Sequence, residues 1–148
     1  LESEGVGSAY PDQPLATTVD ATIGDALKLL RAQRTGAVLI CDGAKLVGIL
    51  TERDALKLMA SGADFSQPVR TVMSSPPATI PANATVGESI RRMSEGGYRH
   101  LPMVDDEGRP TGVVAVYGIV HYLVDHFPST VYNLPPNPKA ATKEREGA

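Results

Sequence analysis

The chain has 148 residues, of which 42% are hydrophobic and 21% are charged, and its formal net charge at pH 7 is -3. This length and composition are typical of one globular unit, or of two very small units that share a core. The slightly negative charge argues against nucleic acid as a partner, and no apolar run approaches the roughly 18 residues that cross a membrane.

Catalytic and metal-binding motifs are missing from the sequence. The three histidines and the single cysteine have no metal-ligand spacing, and neither a phosphate-binding loop nor a nucleophile–base pair is indicated. We therefore expect no metal, no required cofactor and no enzymatic activity. Cys41 lies in an apolar run, which predicts a small buried hydrophobe. A lone thiol suits a reducing compartment, and the expected location is cytoplasmic.

The first half of the chain predicts a helix followed by a hairpin. Residues 1–13 show no hydrophobic period and predict a flexible lead. Thr22 can cap a helix that reaches about Arg31. Residues 38–41 and 46–50 are rich in β-branched residues and flank an Asp-Gly turn, so they predict two antiparallel strands.

The second of these strands ends where a new helix begins, over Glu52 to about Ser61. The pattern Thr51-x-x-Asp54 is a capping box, which stabilises a helix by about 1 kcal/mol. The same junction directs free backbone N–H groups and the positive end of the helix dipole towards one spot, which makes it a potential anion site. The local sequence leaves both interpretations open.

A second copy of this pattern follows a linker at residues 67–76. Thr85 opens a helix, residues 101–104 and 111–116 predict a hairpin, and residues 118–126 predict the closing helix. The two copies share the order strand–helix–strand–strand–helix, so the chain contains an internal repeat. Neither half, at about 60 residues, buries much core alone, and we expect the halves to pack as a pseudo-twofold pair.

The apolar residues of the two closing helices predict which helix faces point inward. The predicted inward residues are Leu56, Met59 and Ala60 in the first copy and Ile119, Val120, Leu123 and Val124 in the second. Residues 128–148 form a Pro-rich and charged tail, expected to be mostly mobile, although Phe127 to Leu134 has enough apolar residues to dock on a partner.

The repeated motifs resemble the paired cystathionine-β-synthase (CBS) domain, or Bateman module. The resemblance lies in Asp20-Ala21-Thr22-Ile23, Gly36–Ile40 and Gly48-x-x-Thr51-x-x-Asp54, and again in Asn83–Val86, Arg99–Asp105 and Gly112–Val114. It implies an α+β fold of two βαββα repeats, at residues 14–66 and 77–127, with the sheets in the middle and the helices outside. It also implies a homodimer and binding of adenosine-containing ligands between the repeats.

The resemblance further implies a set of nucleotide-binding residues. Thr51 would bind phosphate and Asp54 the ribose hydroxyls, while Arg99 and His100 would bind phosphates. Arg53 is either exposed to solvent or able to reach a phosphate. The adenine slot would be lined by Pro77, Ala78 and Ile80, with Ile49 opposite.

The second copy lacks the matching polar groups. Ala115 and Gly118 replace the Thr and Asp of its motif, and Gly36 and Ala37 occupy the places that match Arg99 and His100. We therefore expect one working nucleotide site, with the second cleft vestigial or used differently.

Three functions remain open at this point. The first is a regulatory sensor that binds AMP, ADP or ATP; S-adenosylmethionine is less favoured because its sulfonium would lie near Arg99. The second is a ligand-free dimerisation or protein-interaction module, and the third is a regulatory fragment of a larger enzyme or transporter. The sequence does not name the regulated protein.

Overall fold

The computed structural model describes residues 3–32 and 36–126, and within them the two halves repeat the same order of elements. The first repeat contains β1 (Ala16–Thr18), α1 (Ile23–Ala32), β2 (Ala37–Asp42), β3 (Lys45–Thr51) and α2 (Glu52–Ser61). The second repeat contains β4 (Ile80–Pro81), α3 (Val86–Gly96), β5 (His100–Val104), β6 (Pro110–Ala115) and α4 (Val116–His126). The predicted α+β fold and the internal repeat are confirmed.

Each repeat has a three-stranded sheet with the same topology. β1 runs parallel to β2 and β2 antiparallel to β3, and the order β4-β5-β6 repeats this arrangement. The register also repeats, because Ala37 pairs with Thr51 in the first sheet and His100 with Ala115 in the second. Both central strands carry an irregularity at the equivalent place, after Ile40 and after Met103.

The central strand β2 is buried on both faces, which explains its uninterrupted apolar sequence. Val38 and Ile40 belong to the core that includes Ala26 of α1. Leu39 and Cys41, on the opposite face, belong to a separate cluster that includes Val113 of the second repeat. The two sheets therefore meet in the middle, and Cys41 is the small buried hydrophobe that the sequence predicts.

The segment before β1 is packed, so the prediction of a flexible lead is wrong for its described residues. We call residues 4–13 the N-terminal strap. Val6 is fully buried, and its N–H donates to the carbonyl of Ala84 at 2.7 Å. Asp12 and Val113 exchange two backbone hydrogen bonds, each 2.9 Å long. Val6 and Ala9 anchor the strap in the core of the second repeat.

The linker at residues 67–76 is the counterpart of the strap. It contains a 3₁₀ turn, Val69–Thr71, that matches the turn Val6–Ser8 of the strap. Val69 is fully buried in the first core, and Ser74 exchanges two backbone hydrogen bonds with Ile49. Each repeat is therefore completed by the segment that precedes the other repeat in the sequence: the strap packs on the second repeat and the linker on the first.

Two predicted helix faces need correction. In α2 the inward residues are Ala55, which is buried, and Leu58, which is half-buried, whereas Leu56, Met59 and Ala60 are exposed. The helix carries apolar residues on two faces, so the apolar pattern alone does not identify the face that meets the sheet.

In α4 the correction concerns two positions, Val120 and Tyr122. Ile119 is buried and Leu123 and Val124 are half-buried, as predicted, but Val120 is exposed and Tyr122 is almost fully buried instead. The helix also begins at Val116, two residues earlier than predicted. The expectations for the tail after His126 fall outside the described residues.

Candidate nucleotide-binding cleft

The site begins at the junction between β3 and α2. The strand ends at Thr51, whose extended backbone makes it the N-cap of α2. The Thr51 side chain accepts a hydrogen bond from the backbone N–H of Asp54, and the Asp54 side chain accepts one from the N–H of Thr51 at 2.9 Å. The hydroxyl of Thr51 also donates to Asp54 Oδ2 at 3.1 Å. The capping box predicted from the sequence is therefore present.

Thr51 and Asp54 also line a large cavity, so the capping interpretation and the binding interpretation are compatible. The cavity has a volume of about 850 Å³, which lies within the range of small-molecule sites. Its walls come from both repeats: the β3–α2 junction, the end of the linker, the segment before β5 and the start of α4. A ligand held here would contact both halves of the molecule.

Eight of the nine residues that the resemblance assigns to nucleotide binding line this cavity, namely Ile49, Thr51, Arg53, Asp54, Pro77, Ala78, Arg99 and His100. The ninth, Ile80, does not. Its side chain is fully buried in the core of the second repeat, together with Leu101 and Val86. As a residue of β4, paired with Met103, it belongs to the hydrophobic core and not to the cavity wall.

His100 lies against Gly36, the residue that precedes β2. Gly36 has a φ of +79°, and a Cβ atom at this position would lie 2.8 Å from Nε2 of His100 and 3.3 Å from Oε1 of Glu52. The left-handed backbone and the close approach both require glycine here. Gly36 thus leaves room for the imidazole and the Glu52 carboxylate to lie side by side on the cavity wall.

The second motif is arranged differently. Ala115 lines the cavity, but Gly118 lies under the N-terminal strap, where a Cβ atom would be 2.8 Å from the carbonyl oxygen of Ala9 and 2.9 Å from that of Tyr10. An Asp at position 118, matching Asp54 of the first motif, would collide with this backbone. The strap therefore takes the space that the aspartate of the second motif would need.

The sequence-based assignment missed several residues of the cavity wall. These are Asp12, Gly36, Glu52, Leu56, Ser74, Pro76, Gly97, Tyr98, Val116 and Tyr117. Glu52 and Tyr98 are direct chain neighbours of assigned residues, so adjacency was a usable signal for them. Asp12 carried no such signal because it belongs to a segment with no hydrophobic period.

A family model described as the CBS domain matches residues 7–61 and 69–125. The chain belongs to the CBS domain family. The two matched ranges correspond to the two structural repeats and include most of the strap. Among curated relatives, this CBS pair is 30% identical over 107 residues to an uncharacterized 17.7 kDa protein in the bps2 3′ region of Acidianus ambivalens. That match covers 72% of the chain and spans 65% of the relative.

Solved CBS structures share this fold. CBS domain protein PAE2072 from Pyrobaculum aerophilum, complexed with AMP, superimposes with a TM-score of 0.73 at 22% identity, covering 82% of this chain and 98% of that one. The CBS domain pair of protein MJ0100, in complex with 5′-methylthioadenosine and S-adenosyl-L-methionine, gives a TM-score of 0.72 at 25% identity, covering 79% and 97%. None of the helices within residues 3–32 and 36–126 has the length and apolar character needed to cross a membrane.

Proposed function

We propose that this CBS pair is a regulatory module, not an enzyme, that binds an adenine nucleotide in the cavity between its repeats. The observation that carries the proposal is the convergence of Thr51, Asp54 and Arg99 on one cavity, although they come from different repeats. The AMP and S-adenosylmethionine complexes of the related structures support this ligand class. We expect the nucleotides to bind more tightly than S-adenosylmethionine.

The proposed binding mode assigns a chemical role to each part of the wall. Arg99 and His100 bind the phosphate, to which a guanidinium can donate two hydrogen bonds. Asp54 accepts hydrogen bonds from the ribose hydroxyls, and Thr51 contributes its hydroxyl next to the start of α2. Ile49, Pro77 and Ala78 offer the apolar surface for adenine. Because the walls come from both repeats, the ligand would favour one relative arrangement of the halves.

Calorimetric titration with AMP, ADP, ATP and S-adenosylmethionine tests this proposal. We expect one nucleotide site per chain, and we expect Arg99→Gln to weaken nucleotide binding about tenfold or more, because it removes a charge-assisted hydrogen bond. Arg92→Gln is the matched control, since Arg92 is exposed on α3 and does not line the cavity. Equal affinity of parent and Arg99→Gln would contradict the proposed phosphate site.

A second pair of variants separates ligand binding from helix capping. Asp54→Ala removes the proposed ribose contact, but it also removes a capping residue. Asp25 occupies the same position in the first turn of α1, where its N–H bonds the Thr22 hydroxyl, and it does not line the cavity. Asp25→Ala should leave nucleotide affinity unchanged, whereas Asp54→Ala should reduce it. If no nucleotide binds the parent protein, the ligand-free interaction module becomes the better description.

We also propose that the chain forms a homodimer through α2 and α4. Leu56, Met59, Tyr117 and Val120 are 68%, 59%, 75% and 54% exposed, respectively. Leu56 and Tyr117 both line the cavity, so the two exposed helix faces are close together. An apolar surface of this kind commonly marks an interface. Sedimentation equilibrium should give a dimer for the parent and a monomer for Leu56→Glu, whereas a monomeric parent would exclude this interface.

A further inference from the structure

The positive and negative charges of the side chains around the cavity nearly cancel. Within the described part of the chain, its wall carries three carboxylates, from Asp12, Glu52 and Asp54, and two guanidiniums, from Arg53 and Arg99. His100 adds one further positive charge only when it is protonated. A site with this composition does not have the excess of positive charge that several phosphate groups would require.

Glu52 is the carboxylate that the structure places beside the proposed phosphate-binding group. Glu52 Oε1 and His100 Nε2 lie 3.3 and 2.8 Å, respectively, from the position that a Cβ atom of residue 36 would occupy. Glu52 is the first residue of α2 and follows Thr51 directly. Asp54, by contrast, directs Oδ2 towards Thr51, with which it forms the capping box. Glu52 is thus the acidic group next to the imidazole.

We propose that this cavity selects nucleoside monophosphates over triphosphates and that Glu52 is the specificity-determining residue. The inference rests on the proposed function and refines it. A nucleoside monophosphate carries about two negative charges at pH 7, which the two guanidiniums of the wall, Arg53 and Arg99, can match. Each additional phosphate brings a further negative charge close to the Glu52 carboxylate, and like charges at such separations repel each other.

The selectivity is measured by titrating the parent protein with AMP and with ATP. The buffer contains EDTA, so that no magnesium neutralises the triphosphate, and little salt, so that charges are weakly screened. We expect AMP to bind the parent more tightly than ATP. Glu52→Gln should reduce the ratio of the two dissociation constants by about threefold to tenfold, as expected for one exposed charge acting across several ångströms of largely aqueous medium.

Glu88→Gln is the matched control. Glu88 also lies in the first turn of a helix, α3, but it does not line the cavity, so its loss tests the effect of removing a helix-terminal carboxylate alone. The AMP-to-ATP preference should be unchanged in this variant. An ATP affinity equal to or above that of AMP in the parent, or an unchanged ratio in Glu52→Gln, would overturn the inference while leaving the nucleotide site intact. Failure of the parent to bind either nucleotide would overturn the proposed function as well.

Discussion

Thr51 and Asp54 combine two roles in one geometry, because they cap α2 and line the cavity at the same time. A sequence motif that begins a helix after a strand stabilises that helix whether or not a ligand is present. The local pattern therefore could not distinguish capping from binding. What favours a ligand site is the second repeat, which brings Arg99 and His100 to the same cavity.

Ile80 is the one residue assigned to nucleotide binding that does not line the cavity. The resemblance placed it in the adenine slot together with Pro77 and Ala78, and those two neighbours do line the cavity. Ile80, however, is the first residue of a two-residue strand whose partner is Met103 of β5. Pairing with a central strand turns its side chain into the core, and the sequence contains no signal for this orientation because the strand is too short to show an alternating pattern.

Asp105 provides a prediction at the residue scale, concerning acid sensitivity. Its carboxylate accepts hydrogen bonds from the backbone N–H groups of Arg109 and Glu107 at 2.9 and 3.0 Å, and from Nε of Arg109 at 2.8 Å. These bonds, with that from the Arg109 backbone the largest contribution, lower the pKa of Asp105 below its usual value. A lowered pKa in the folded state stabilises the protein above the unfolded-state pKa of about 3.9, and this contribution disappears as the pH falls through the folded-state pKa.

Asp105→Asn should therefore lower the melting temperature at pH 7, and the difference from the parent should shrink as the pH falls below about 4. Thermal unfolding followed by circular dichroism over this pH range measures the effect. Asp106→Asn is the control, because Asp106 is exposed in the same turn. A stability difference that stays constant from pH 7 down to acidic pH would show that the charge of Asp105 is not its cause.

At the scale of elements, the two hairpins and the three threonine-capped helix starts were the most predictable features. The predicted hairpins correspond to β2–β3 and β5–β6, and the predicted caps at Thr22, Thr51 and Thr85 each accept a hydrogen bond from the N–H three residues later. Helix faces were less predictable. Which apolar face of α2 is buried depends on how the sheet approaches the helix, and the sequence of the helix does not contain this information.

The cap of α3 gives a prediction at this scale. The hydroxyl of Thr85 accepts a hydrogen bond from the N–H of Glu88 at 3.1 Å, away from the cavity between the repeats. Thr85→Ala should lower the free energy of unfolding by about 1 kcal/mol, the usual cost of losing a side-chain cap. Chemical denaturation measures this difference. Thr85→Ser, which keeps the hydroxyl, should retain most of the stability, and equal losses in both variants would assign the effect to packing of the threonine methyl group.

At the scale of the whole molecule, the strap and the linker make the two repeats mutually dependent. The strap packs on the second repeat and supplies Asp12 to the cavity, although it precedes the first repeat in the chain. Sequence analysis missed this because the described residues of this segment, 3–13, form no helix or strand apart from one short 3₁₀ turn. Their hydrogen bonds, such as that from Val6 to Ala84, join residues far apart in the sequence, and a local pattern cannot predict them.

A substitution at Gly118 tests whether the strap packs against α4 as described. In an ordinary helix, Gly→Ala stabilises by up to about 1 kcal/mol. At position 118 the added Cβ atom would lie 2.8 Å from the backbone carbonyl oxygen of Ala9, and a backbone cannot move as easily as a side chain. We therefore expect Gly118→Ala to lower the free energy of unfolding by about 1–3 kcal/mol, the typical cost of overpacking. Gly7→Ala is the control within the strap, because a Cβ atom there meets no neighbour within 4 Å.

Amide hydrogen exchange shows which part of the molecule is affected by Gly118→Ala. If Gly118→Ala displaces the strap, the amides of Val6 and Asp12 should lose protection, because their acceptors, the carbonyls of Ala84 and Val113, belong to the second repeat. Amides of β2, at the centre of the first sheet, should keep theirs. A stabilised Gly118→Ala variant with unchanged exchange at Val6 and Asp12 would mean that the strap does not press on α4. The second motif would then be open to a ligand, and the asymmetry between the two clefts would rest on the missing polar side chains alone.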